Sequence, residues 1–183
     1  MSDRPVPQPS IDRMTPFSGH PIVVGVVPGQ AALVALTAVD WAHTAGSPAV
    51  YFAFADTARY TVEEHPDGSV HHAPIDPDAV DHAWHDTEAV LRTQLARALR
   101  GSTVPWELRY LAGRPDRALT HLARAVDAAV IVVGTRAPGG GARVREFFEG
   151  SVAVHLAHHQ HRPVLTVPLS VVDWKELRAP WAG

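Results

Sequence analysis

The run of β-branched residues from Val130 to Val133 constrains the fold more than any other feature of this sequence. It contains no polar residue and ends at Gly134. A strand with one wet face alternates apolar and polar residues, so an uninterrupted apolar run predicts a strand buried on both faces. Strands of that kind occur in parallel sheets whose two faces are covered by helices. The run therefore predicts an α/β fold.

Four more apolar segments, separated by stretches with helical spacing, repeat this pattern along the chain. Further strands are predicted at residues 21–27, 49–55, 104–111 and 163–167, the segment 104–111 as a sheet edge because its polarity alternates. The order β-α-β-α-β-α-β-α-β predicts a five-stranded parallel sheet with helices on both faces.

The helices are predicted to bury apolar stripes with three- and four-residue spacing. The helix at 31–45 is expected to end at Gly46 and to bury Leu33, Leu36, Ala38, Val39 and Ala42. The helix that begins at Asp78 is expected to stop at Gly101 and to bury Val80, Ala83, Trp84, Val90, Leu91, Leu95, Ala98 and Leu99. Pro115 is expected near the first position of the next helix, which buries Leu119, Leu122, Ala123 and Val126. The last helix covers residues 150–159.

The chain divides into one domain and two tails. Residues 1–20 are rich in proline and lack periodicity, which predicts a flexible arm. Residues 21–168 form the α/β domain, and residues 169–183 a C-terminal tail. Within the domain, residues 56–77 flank Pro66-Asp67-Gly68 with short β-like segments, which predicts an exposed hairpin carrying His65, His71 and His72 at its surface.

Composition narrows the function classes. The net charge of −3 and pI near 6.4 offer no broad electrostatic footprint for nucleic acid, and the absence of cysteine excludes disulfides and thiolate chemistry. No apolar run approaches the ~20 residues that span a bilayer, and residues 1–21 lack the apolar segment of a secretory signal. We therefore expect a cytoplasmic protein without nucleic-acid or membrane partners.

The glycine-rich segment from Gly134 to Ser151 is the candidate ligand loop. It follows a buried strand and ends at Gly150-Ser151, just before a predicted helix. Unpaired backbone N–H groups and the positive end of a helix dipole both favour phosphate. In an open α/β sheet, ligands bind beyond the carboxyl ends of the strands, so the loop Val27-Pro28-Gly29 after the first strand is expected to face the same site.

At this point two stretches carry a family resemblance. The segment VIVVGTRAPGGGARVREFFEGSVAVHLAHHQHRPVLTVP resembles the C-terminal half of a universal stress protein, and PIVVGVVPGQAALVALTAVDWA resembles the first strand and helix of that family. The resemblance spans residues 21–168 and includes the turn Gly113-Arg114-Pro115. It implies a Rossmann-like fold of the adenine-nucleotide alpha-hydrolase type, a homodimer formed through the last strand Pro163–Val167 and, in one subgroup, ATP with Mg²⁺ as ligand.

The signature of that ATP-binding subgroup is Gly, two residues, Gly, nine residues, Gly and then Ser or Thr. Gly134 and Gly150-Ser151 match its ends, but Ala137 stands at the second glycine, and 16 positions separate Gly134 from Gly150 instead of 13. Val27 stands where the family usually has an aspartate that reaches the nucleotide, and Phe54 where a side chain packs on adenine. The nucleotide-binding residues that the resemblance implies are Val27, Pro28, Phe54, Val133, Gly134, Arg136, Ala137, Gly140, Gly150, Ser151 and Val152.

These departures predict an altered nucleotide site. The Cβ of Ala137 obstructs close approach of phosphate to the backbone, and Glu146 and Glu149 repel it unless a cation intervenes. Arg136, Arg143 and Arg145 can offset this repulsion by pairing with phosphate or with the glutamates. The sequence leaves both outcomes open.

No catalytic or metal site is predicted. Ser151 lacks the nucleophile-elbow motif and is expected to cap a helix. His155 with His158 or His159 has metal-ligand spacing, but no carboxylate or cysteine close in sequence completes a set, so these histidines are expected to suit a helix C-terminus.

Three functions remain. The first is a non-catalytic universal-stress-type binding module with weak or absent nucleotide binding. The second is a slow Mg²⁺-dependent nucleotide hydrolase that uses the loop from Gly134 to Ser151. The third is a protein-interaction module without a ligand, whose partners the sequence does not identify.

Overall fold

A computed structural model describes residues 10–78, 83–135 and 151–169. A short 3₁₀ turn, Ile11–Arg13, precedes the first strand. The strands are β1 Ile22–Gly25, β2 Val50–Asp56, β3 Arg59–Glu64, β4 Val70–Pro74, β5 Trp106–Ala112, β6 Val130–Gly134 and β7 Val164–Val167. The helices are α1 Leu33–Ala45, α2 Ala83–Ala98, α3 Pro115–Ala125 and α4 Ser151–His159.

Five strands form one parallel sheet in the order β5-β2-β1-β6-β7. This confirms the predicted five-stranded sheet, with β5 at an edge. The chain builds outward from β1 to β2 and β5, then crosses back to place β6 on the other side of β1. The strand order thus reverses between β1 and β6, and their carboxyl ends define the crevice where ligands bind in such sheets.

Helices cover both faces of the sheet, as predicted. Val24 and Val132 point to the face covered by α1 and α2, whereas Val23 and Ile131 point to the face covered by α3 and α4. All four side chains are fully buried, because successive residues of a strand face opposite sides. The uninterrupted apolar composition of β1 and β6 follows from this double burial.

The helix boundaries agree with the sequence better than the predicted buried faces do. In α1, Gly46 adopts φ +63° and the N–H of Ser47 donates to the carbonyl of Ala42, which ends the helix as predicted. The predicted burial of Leu33 and Leu36 is wrong, since they are 51% and 48% exposed. Ala38 and Ala42 are buried as predicted, and Val34 and Ala35 are buried in place of the two leucines.

In α2, too, the predicted buried face is only partly correct. Leu91 and Leu95 are buried as predicted, but Val90 is exposed. The start predicted at Asp78 and the position of Val80 involve residues 79–82, outside the described residues. In α3, Pro115 occupies the first turn, and Leu119, Leu122 and Ala123 are buried as predicted.

The hairpin formed by β3 and β4 confirms the predicted turn but corrects its predicted exposure. Its tip lies on α3, because a Cβ on Gly68 would come within 2.5 Å of Leu122 Cδ1 and 3.3 Å of Ala125 Cβ. His65 and His71 are exposed, but His72 is half-buried. The polar composition of the hairpin predicted an exposed tip, but the hairpin contacts α3 through Gly68, which has no side chain and gives no apolar signal in the sequence.

The ends of the chain are only partly described. Of the predicted arm, residues 10–20 are described, and the Phe17 ring packs on Trp41 with ring centroids 5.5 Å apart. Residues 1–9 and 170–183, and with them most of the predicted C-terminal tail, lie outside the described residues. Among the helices that the structure describes, none has the length and apolar character needed to cross a membrane.

Replacing Gly68 with alanine tests the contact between the hairpin and α3. Gly68→Ala is expected to cost about 1–3 kcal/mol more than Gly101→Ala in free energy of unfolding, measured by urea denaturation. Both glycines have positive φ, +79° and +88°, so both alanines carry backbone strain, but nothing lies within 4 Å of a Cβ on Gly101. Equal losses would contradict a close contact at Gly68.

Candidate functional site

The loop after β1 forms one wall of the crevice between β1 and β6. The chain continues through Val26 and Val27, turns at Pro28-Gly29 and enters α1. The N–H of Gln30 donates to the carbonyl of Val27 over 3.2 Å, and Gly29 has φ +74°, which suits glycine. This turn sets the position of Gln30.

A glutamine of α2 stabilises this turn with two hydrogen bonds to its backbone. The side-chain carbonyl of Gln94 accepts a hydrogen bond from the N–H of Gly29 at 2.9 Å, and its NH₂ group donates to the carbonyl of Gln30 at 3.1 Å. Sequence reasoning missed Gln94. Its signal was its position three residues after Leu91 and four before Ala98, on the buried side of the helix.

The carboxyl end of β6 forms the other wall, and it is covered. A Cβ on Gly134 would lie 2.8 Å from Gln30 Nε2, 2.8 Å from Leu169 Cδ1 and 3.2 Å from Val34 Cγ2. Gln30 is only 7% exposed. The amide of Gln30 and the side chain of Leu169 thus lie directly against the last residue of β6.

Thr135 holds the chain that follows β7 in this position. The N–H of Thr135 donates to the carbonyl of Val167, and the hydroxyl of Thr135 accepts from the N–H of Leu169 at 3.0 Å. These two hydrogen bonds, both made by Thr135, hold Leu169 across the end of β6. Neither Gln30 nor Leu169 was among the predicted site residues.

The predicted nucleotide-binding residues are spread over different surroundings. Val27 is fully buried beside the crevice and has no polar side-chain atom, while Pro28 is exposed. Phe54 packs on Tyr110, with ring centroids 5.3 Å apart, against the core under α1 and α2.

The remaining predicted residues follow the loop. The side chains of Val133 and Val152 are buried in the core on the α3 and α4 face, opposite the face of Phe54. Ser151 is the first residue of α4 as described, but its side chain, with Arg136, Ala137, Gly140 and Gly150, lies outside the described residues. The described residues therefore bring together Val27, Gln30 and Gly134, and the loop itself stays a prediction.

A second polar cluster lies where the hairpin meets β2, β5 and α2. The hydroxyl of Tyr110 donates to Asp56 Oδ2 at 2.7 Å. Burial, followed by this hydrogen bond, raises the pKa of Tyr110 far above its ordinary value, so the tyrosine stays a neutral donor. Arg59 Nε donates to His72 Nδ1 at 2.7 Å, and the His72 ring meets the Trp84 ring with centroids 4.8 Å apart.

This cluster anchors the hairpin. Because Nδ1 of His72 accepts from a guanidinium, a neutral imidazole carries its proton on Nε2. Tyr110 cannot act as a base at neutral pH, and the guanidinium of Arg59 lies 5.9 Å from the Trp84 ring centroid. The arrangement is suited to joining β3 and β4 to the main sheet rather than to proton transfer.

Within the described residues, no group of three or more His, Cys, Asp or Glu side chains is placed to hold an ion. His155 and His159 do lie on one face of α4, with ring centroids 5.6 Å apart.

The fold has counterparts among solved structures. A universal stress protein from Archaeoglobus fulgidus is 21% identical with a TM-score of 0.55, and the match covers 82% of this chain and 94% of that one. A universal stress protein in complex with cAMP is 23% identical, with a TM-score of 0.54 and coverage of 84% and 99%. The Archaeoglobus fulgidus protein in complex with dAMP is 22% identical, with a TM-score of 0.54 and coverage of 81% and 97%.

No curated protein matches this chain significantly. The sequence model of the universal stress protein family matches residues 20–168, which include the whole α/β domain. Together with the parallel sheet and the crevice at its strand reversal, this match establishes that the chain belongs to the universal stress protein family.

Proposed function

We propose that this protein is a non-catalytic binding module of the stress response, cytoplasmic and homodimeric, with an altered adenine-nucleotide site of low affinity. Two solved proteins of the same fold are complexes with cAMP and dAMP, which supports a nucleotide as the ligand class. The crevice between β1 and β6 is the matching place in this chain.

The observation that carries the proposal is the cover over Gly134. Phosphate binding at a strand end needs backbone N–H groups that a ligand can approach closely. Here Gln30 Nε2 and Leu169 Cδ1 lie against Gly134, and Gln94 already accepts from the N–H of Gly29. A nucleotide must displace the Gln30 side chain, which lowers its affinity.

Val27 weakens the site further. Its side chain cannot hydrogen-bond to a ribose or an adenine, and it is fully buried beside the turn. A binding site without a polar partner for a ligand hydroxyl loses the contribution of that hydrogen bond to the binding free energy. We therefore expect modest affinity and little discrimination between nucleotides.

The absence of turnover is proposed from the chemistry of the crevice. The polar side chains identified there are the amides of Gln30 and Gln94 and the hydroxyl of Thr135. None of these groups is a general base near neutral pH, and proton transfer in catalysis requires one with a matched pKa.

The cover is tested by varying Gln30. Gln30→Ala removes the amide that lies against Gly134, so we expect a larger rise in melting temperature with millimolar Mg²⁺-ATP than for the wild type. A ligand at 100 times its dissociation constant adds about 2.7 kcal/mol to the free energy of unfolding. The near-isosteric control Gln30→Glu places a carboxylate near the phosphates and is expected to abolish the shift. Equal shifts in all three proteins would contradict the proposed site.

Hydrolysis is tested on the same proteins. Wild type and Gln30→Ala, incubated with Mg²⁺-ATP, are expected to release no more inorganic phosphate than buffer does, because the described side chains of the crevice include no general base. A thermal shift without phosphate release supports a binding module. Protein-dependent release that Gln30→Glu changes would instead favour the slow hydrolase.

The homodimer is proposed from the edge position of β7. The carbonyl of Pro163 accepts a hydrogen bond from the N–H of Ile131 in β6, and that of Val167 accepts from Thr135 just after β6. The backbone N–H and C=O groups of Val164 and Thr166 therefore point away from the sheet. Thr166 is exposed. An unpaired edge of this kind is a template for pairing with another strand.

Thr166→Pro removes one outward N–H group and is expected to convert a dimer into a monomer, measured by light scattering. Thr166→Val keeps the N–H group and is expected to leave the dimer intact, which controls for the loss of the hydroxyl. A monomeric wild type, or a Thr166→Pro variant that remains a dimer, would contradict assembly through β7.

A further inference from the structure

A basic groove separates α3 from α4 on the side of the sheet opposite α1 and α2. Its volume is about 440 Å³, and we refer to it as the α3–α4 groove. The basic residues that line it are Arg114, Arg117, His121, Arg124, His155 and His159. The volume is within the range of about 300–1,000 Å³ that is typical of small-molecule sites.

Asp116 is the one carboxylate among the described residues that line this groove, and it is already paired with an arginine. Arg114 binds Asp116 with two hydrogen bonds, from Nε to Oδ1 at 3.1 Å and from Nη2 to Oδ2 at 2.9 Å. Burial opposes ionisation of Asp116, but Arg114, the backbone N–H of Arg117 and the charge of His155 together hold its pKa below the ordinary value. Asp116 therefore offsets one arginine and leaves the others uncompensated.

Arg117 and Arg124 are the uncompensated cations. Both are exposed, and within the described residues neither has a carboxylate at ion-pairing distance. They are seven residues apart on α3, which places them on one helix face and about 10.5 Å apart along the axis. His121 lies between them and pairs with Glu64 of the hairpin at 3.0 Å.

The opposite wall adds donors rather than acceptors. His155 and His159 occupy one face of α4, and both line the groove. Imidazole and guanidinium groups both donate to oxyanions, and guanidinium matches phosphate in bidentate geometry. Two arginines at this separation, facing two imidazoles, are suited to a ligand with more than one anionic group.

We propose that the α3–α4 groove binds a small anion with several phosphate groups, held by Arg117 and Arg124 at its two ends. A nucleic-acid strand is disfavoured because the chain has a net charge of −3 and the basic residues are confined to a short groove. The site lies across the sheet from Gln30 and Gly134, so it is independent of the proposed nucleotide crevice.

Tripolyphosphate is the probe, and calorimetry at two salt concentrations measures its affinity. The double variant Arg117→Gln/Arg124→Gln is expected to bind at least about 10-fold more weakly than the wild type, because two charge-assisted contacts are lost. The control Arg92→Gln/Arg100→Gln changes the net charge equally at exposed positions of α2 and its end, and is expected to keep the wild-type affinity. Circular dichroism verifies that each variant is folded.

Three further arms sharpen the outcome. Arg117→Lys/Arg124→Lys keeps the positive charges but loses the bidentate geometry of guanidinium. Its affinity is expected to lie between those of the wild type and the double glutamine variant. Gln30→Glu, which alters the crevice, is expected to leave tripolyphosphate binding unchanged. Citrate is expected to bind more weakly than tripolyphosphate.

The proposal is overturned if the wild type does not bind tripolyphosphate, or if both glutamine double variants lose affinity equally, which would indicate general attraction to charge. Citrate binding as tight as that of tripolyphosphate would overturn the choice of phosphate. Loss of binding in Gln30→Glu would move the site to the crevice.

Discussion

The pairing of β1 with β6 is the contact on which the rest of this structure depends. Val23 and Val24 of β1 meet Ile131 and Val132 of β6 in parallel register, and all four are fully buried. Burying an aliphatic side chain of this size contributes about 1.5–3 kcal/mol, and here both faces contribute at once. Because this pair is where the strand order reverses, the same contact that centres the core also creates the crevice.

The sequence predicted the architecture well because the architecture follows from short-range patterns. The apolar runs without alternation identified the buried strands, and Gly46 and Pro115 marked helix ends through local backbone geometry. Such patterns depend on a few residues that are neighbours in the sequence, so long-range packing does not alter the structure that they predict. The family resemblance, carried by motifs spread over residues 21–168, was confirmed by the match over residues 20–168.

The site was predicted less well because its geometry depends on residues distant in sequence. Gln30 covers Gly134 across 104 positions, and Gln94 reaches the turn at Gly29 across 65. Likewise, the exposed Leu33 and Leu36 satisfied helical spacing as well as the buried Val34 and Ala35 do, and only the rotation of α1 against the sheet decides between them. Hydrophobic periodicity specifies that a face is buried but does not choose between neighbouring faces with similar composition.

The hairpin gives the two edges of the sheet different environments. Asp67 at its tip forms an ion pair with Arg109 of β5 at 3.6 Å, and Gly68 lies on α3, so the β5 side of the domain carries an attached element. At the other edge, β7 has no equivalent neighbour in the part of the chain that the structure describes. The proposed homodimer would pair β7 with β7 and close at two copies, whereas head-to-tail stacking of β5 on β7 would propagate into a filament.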